Sequence, residues 1–146
     1  MGSEMCIRDR AGGLGEPQDQ LDADALTMAR YALLRHTGAP DDPSGCHFDL
    51  LLEEGDHCRT WRLADVPTTD GQRQPAVPLA PHRLVWLEPR SAAVSGNRGW
   101  AERVMAGTID GNLPRDPDAP VVLNLVDGDL RGILRIMEGH CSITRA

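Results

Sequence analysis

The sequence predicts a mainly β, antiparallel fold, a barrel or a sandwich. Three observations carry that expectation. From Ala29 onward, short apolar runs alternate with turn residues. Hairpin signals join several of those runs. Helical periodicity is weak everywhere, and only Trp100–Met105 admits a short helix.

The strands are expected in order at Ala29–His36, His47–Glu54, His57–Leu63, His82–Glu88, Trp100–Thr108, Pro120–Val126 and Asp129–Ile136. Glu54-Gly55-Asp56 links the second and third as a tight turn. Val126-Asp127-Gly128-Asp129 is the clearest hairpin signal, because Asp-Gly suits positive φ. Leu63 to Pro81 carries Pro67, Pro75, Pro78 and Pro81 and reads as a long loop. Proline donates nothing to a ladder, so a central strand is not expected there. The organised domain spans 29–138. Residues 1–28 read as a flexible lead-in, of which MGSEMCIRDR resembles a translated sequencing-adapter artefact. Residues 139–146 read as a flexible tail.

Composition narrows the function classes. The chain has 146 residues and a formal net charge of −7, and its 15 basic residues are all arginine. A single domain of this length buries a core without disulfide staples. Net acidity argues against nonspecific coating of nucleic acid, which needs many phosphate-neutralising bases. Aromatics are only 3% of the chain, which argues against a base-stacking platform. No run approaches ~18 consecutive apolar residues, so no membrane helix is expected. Cys6, Cys46, Cys58 and Cys141 form no CxxC pair. With no export signal, reduced thiols and a cytoplasmic location are expected. The pairs Cys46-His47, His57-Cys58 and His140-Cys141 place adjacent side chains on opposite strand faces, so they build no zinc site of known spacing.

Cys46–Glu54 (CHFDLLLEE) is the most informative segment. Strand alternation puts Phe48, Leu50 and Leu52 on a core face, and His47, Asp49, Leu51 and Glu53 on the other. His47 and Asp49 then project side by side, at the spacing of strand-borne metal ligands. Imidazole plus carboxylate suits zinc, manganese or iron. On pattern alone such a face is more often the solvated outer face of an edge strand. His36 ends the preceding run, and a turn-rich connection brings the chain back to His47, so a hairpin would place the three residues together. Glu53 is a further candidate, to orient a histidine or bind a cation. Ser95-Gly96-Asn97-Arg98-Gly99 is a loop whose glycines let backbone approach an anion. Arg98 is the candidate phosphate-binding residue on it. Trp61 and Trp86 read as packing residues.

Residues 30–136 resemble the 3′-phosphoesterase domain of bacterial DNA ligase D, in its standalone form. The landmarks run in family order: Arg35-His36, His47-Phe48-Asp49 with Leu52-Glu53, Arg59-Thr60-Trp61 and Pro81-His82-Arg83-Leu84. Ser95-Gly96-Asn97-Arg98-Gly99, Ala106-Gly107-Thr108 and Leu130-Arg131-Gly132 complete the set. The resemblance implies a small antiparallel β-barrel with short flanking helices and long loops. It implies a divalent metal, manganese foremost and zinc as an alternative, held by His36, His47 and Asp49. It implies removal of a 3′-terminal phosphate or ribonucleoside from DNA or RNA ends, with His82 on the scissile phosphate. A separate DNA ligase or end-joining protein is the implied partner. The family's phosphate-clamping arginine is Leu51 here, which removes a bidentate contact. A catalytically weak barrel that binds nucleic-acid ends or a repair partner is therefore a rival expectation. A phosphoesterase for a small phosphorylated metabolite is another. The stretch His82–Arg103 carries +2 within this acidic chain, which suits a grip on one terminal phosphate.

Overall fold

Among the described residues, nine antiparallel strands make one sheet that closes on itself. The computed structural model describes residues 28–40, 43 and 45–146. The strands are β1 (Met28–Thr37), β2 (Cys46–Glu54), β3 (His57–Leu63), β4 (Gln74–Arg83), β5 (Ser91–Ala93), β6 (Trp100–Asp110), β7 (Val121–Gly128), β8 (Gly132–Met137) and β9 (His140–Thr144). Their order is β1-β2-β3-β4-β9-β8-β7-β6-β5, and β1 also pairs with β6. That last pairing closes an eight-stranded barrel, with β5 appended to β6.

Two apolar clusters explain the sequence pattern. The barrel interior holds Tyr31, Leu33, Leu50, Leu52, Trp61 and Leu63 from β1–β3, and Leu123, Leu134 and Ile143 from the far wall. A second cluster lies on the outside of β1 and β2. There Ala32, Leu34, Leu51 and Cys58 pack against Trp86, Leu87 and Ala101. Both faces of β1 and β2 are covered at this point, so their sequences read as continuous apolar runs rather than alternating ones. β7 keeps strict alternation, because its outer face meets solvent.

Several expectations are corrected. Among the described residues no α-helix flanks the barrel; the one helical element is a 3₁₀ turn at Leu84–Leu87. The strand expected at His82–Glu88 is this turn preceded by the end of β4. Trp100–Met105, allowed as a helix, is strand, since β1 needs a ladder partner to close the barrel. The proline-rich loop is partly strand β4. β4 pairs with β3 between Ala76 and Arg83 and meets β9 only at Gln74 and Pro75. Much of its second edge therefore needs no donor, and prolines are tolerated there. Residues 140–144, expected in a flexible tail, form β9, with Cys141 and Ile143 buried in the core. The lead-in lies outside the described residues except for Met28, which opens β1.

The turns divide as well. Gly55, at φ 64°, makes the β2–β3 turn as expected. Asp127-Gly128 is not the tip of the β7–β8 hairpin. It pairs with Thr108-Gly107 of β6, and the turn follows at residues 129–131. No helix of the described residues is long and apolar enough to cross a membrane.

Candidate metal centre

His36 and His47 are direct cross-strand partners in β1 and β2, and Asp49 follows two residues along β2. Alternation puts all three on the outer face, because Phe48 and Leu50 pack inward. The face is not solvated there. His36, His47 and Asp49 are all buried, Asp49 at 1% exposure. The imidazole rings stand 4.6 Å apart, tilted by 58°. His36 Nδ1 lies 3.3 Å from Asp49 Oδ2, and His47 Nε2 lies 3.2 Å from Asp49 Oδ1. One donor atom from each residue falls within 4.8 Å of the others, so the group could hold a metal ion.

The donor chemistry fits a divalent cation. Two imidazoles and one carboxylate are borderline ligands for manganese, iron or zinc. Asp49 Oδ1 makes no hydrogen bond, an unusual state for a buried carboxylate oxygen and one that a cation would relieve. His36 is also oriented from behind: its Nε2–H donates to the Arg98 carbonyl at 2.6 Å. A carbonyl only accepts, so the proton sits on Nε2. In the neutral ring, Nδ1 then offers its lone pair toward Asp49 and His47.

His82 joins the group from β4. Its Nε2 lies 3.7 Å from Asp49 Oδ2, and its Nδ1–H donates to the Ala80 carbonyl at 3.1 Å. The side chain is a quarter exposed, so it stands at the mouth of the centre and outside the three-ligand set. A bulge places it. Thr60 pairs with Leu79 and Cys58 with His82, so β4 spends one extra residue across that interval. The bulge shifts the alternation, and His82 comes to the outer side beside Cys58.

The other candidates resolve differently. Arg98 reaches the centre through its backbone. Its guanidinium folds back, with Nε donating to the Ser95 carbonyl at 2.7 Å and the second nitrogen 3.2 Å from Ser95 Oγ. The glycine at 99 has φ 92°, and a Cβ there would overlap the Thr37 carbonyl oxygen, so this residue lets the loop close on the end of β1. Glu53 accepts the Arg30 backbone N–H and pairs with its guanidinium at 3.0 Å, away from the histidines. That pairing, with Glu88 joining at 2.9 Å, raises the Arg30 pKa. Leu51 is fully buried under Trp86 and Leu87, which explains its apolar identity. Trp61 and Trp86 are packing residues, as expected. No second metal-binding group occurs among the described residues, and burial pushes the Cys58 and Cys141 thiols up to about 12. Arg62, on β3 opposite Asp49, escaped the sequence reading because it becomes a neighbour only through the β2–β3 register. No protein-family model matches the chain, and no curated protein matches it either.

Proposed function

We propose that the protein is a metal-dependent 3′-phosphoesterase, removing a terminal phosphate or ribonucleoside from DNA or RNA ends during end processing, with manganese as its metal. One observation supports the reading above the others: a buried His36-His47-Asp49 group with a partly exposed His82 at its mouth. The ordered sequence landmarks supply the substrate class. A divalent ion in such a group supplies a Lewis acid for a phosphoryl oxygen and acidifies a water molecule. His82 acts from the open side. With its Nδ1–H held by the Ala80 carbonyl, protonation at Nε2 makes the ring a cationic donor to a phosphate oxygen or to the leaving oxygen. A separate ligase or end-joining protein would then take over the resulting 3′-hydroxyl end.

A primer-template ending in a 3′-phosphate or a single ribonucleotide, offered with manganese, tests the reading. Expected is a 3′-hydroxyl product, with loss of turnover in His47→Ala and Asp49→Ala and a fall in kcat in His82→Ala. Binding without hydrolysis under any divalent metal would favour the end-binding barrel. Hydrolysis of small phosphate esters alone would favour the metabolite enzyme.

A further inference from the structure

The outer face of β2 and β3 carries a further charged group beside the metal-binding residues. Arg62 is the direct cross-strand partner of Asp49. Its neighbours Trp61 and Leu63 point into the barrel core, so alternation turns Arg62 outward, onto the face of Asp49. Directly opposed residues in an antiparallel pair have Cβ atoms about 5 Å apart, well within the sweep of an arginine. Arg62 is half-buried, and its β4 partner Val77 is 52% exposed, so this flank opens to solvent.

Four other guanidiniums near the centre hold neighbouring groups of the chain. Arg98 is folded onto Ser95, and Arg30 onto Glu53 and Glu88. Arg103 donates to the Leu87 carbonyl at 2.8 Å, and Arg90 stacks on Trp86. Leu51 lies beneath the second apolar cluster, so a cation cannot enter from there.

We propose that Arg62 grips the substrate phosphate in this site. The inference rests on the phosphoester reading and adds a residue that the family landmarks do not include. A planar guanidinium presents paired N–H donors that match two phosphate oxygens, a stronger and more directional contact than a point charge makes. Its position beside Asp49, on the solvent-open flank, lets it meet a phosphate held at the centre from the side opposite His36. Substrate binding then uses an arginine from β3, where the chain has no lysine to offer.

The test titrates inorganic phosphate into the manganese-loaded full chain, with manganese affinity measured separately for each variant. Arg62→Ala is expected to weaken phosphate binding about 10- to 100-fold, the range for a hydrogen-bonded charged pair. Arg62→Lys should fall between, and manganese affinity should stay at the wild-type value in both. In kinetics on a 3′-phosphate end, the loss should appear in KM more than in kcat. Three results overturn the assignment: no phosphate binding by the wild type, unchanged binding in Arg62→Ala, or manganese affinity falling with phosphate affinity, the mark of a merely structural ion pair. Arg62-dependent phosphate binding without hydrolysis of any 3′ end supports the assignment and defeats the phosphoesterase proposal, so the two fail separately.

Discussion

His36 has two ring nitrogens with different neighbours, and this makes its role testable atom by atom. Nε2 faces the Arg98 carbonyl, while Nδ1 faces Asp49. Asparagine places its side-chain oxygen near the Nδ1 position, and glutamine near the Nε2 position. His36→Asn should therefore retain more manganese affinity than His36→Gln. His47 presents Nε2 to Asp49, so the order should reverse at that position. Equal losses at both positions, read by calorimetry, would contradict the assignment of ligand atoms. The cluster was legible only in part: strand alternation puts His47 and Asp49 on one face, while His36 joins them through the β1–β2 register. Glu53 was not, since its partner Arg30 lies on a different strand at a register that local spacing does not encode.

At the scale of elements, the loop Ser95–Gly99 orients His36 through the Arg98 backbone carbonyl. Gly99→Ala forces a Cβ against the Thr37 carbonyl and strains a positive φ, which displaces the neighbouring Arg98 carbonyl from His36. Manganese affinity should fall about 10- to 100-fold, the usual effect of losing an orienting partner. Circular dichroism should remain that of the barrel; unchanged affinity in a folded variant would show that the carbonyl does not matter. Six of the seven strands expected from the sequence are present with modest errors at their ends, and the seventh, His82–Glu88, comprises the last residues of β4 and a 3₁₀ turn. The sequence hid β4, because three of its residues are prolines, and two of them, Pro78 and Pro81, are acceptable only because they lie beyond the short pairing with β9. It also hid the bulge that aims His82, which is a property of two strands together. The cover over β1 and β2 was written in Leu50-Leu51-Leu52, but an unbroken apolar run does not say what lies on its second face.

At the scale of the molecule, closure decides stability. Tyr31 on β1 accepts the Leu130 N–H at 2.9 Å and lies 3.2 Å from its carbonyl, tying the first strand to the β7–β8 turn across 99 positions. Tyr31→Phe leaves both backbone groups buried without that partner and should cost about 1–3 kcal/mol in urea unfolding at an unchanged m-value. A loss under a few tenths would mean that water replaces the hydroxyl. Removal of residues 140–146 takes away β9, the link between β4 and β8. The truncated chain should lose cooperative unfolding; a sharp transition near that of the full chain would contradict the barrel's closure.

Alkali probes the same interior. The Cys58 and Cys141 thiols are raised by burial from 9.0 to about 12, and burial also raises Tyr31. A raised folded pKa gives stability that is complete below the unfolded value and is lost as pH rises through the folded one. Stability should thus decline between about pH 9 and 12, and less steeply in Cys58→Ala with Cys141→Ala. At pH 8, a thiol reagent should leave both cysteines unmodified until the barrel unfolds.

The most direct measurement is a manganese titration of metal-stripped full-length protein, followed by calorimetry or electron paramagnetic resonance. One ion per chain is expected, bound through nitrogen and carboxylate ligands, with Asp49→Ala folded but unable to bind. No binding by the wild type, or wild-type binding by a folded Asp49→Ala, would contradict a metal centre at His36, His47 and Asp49.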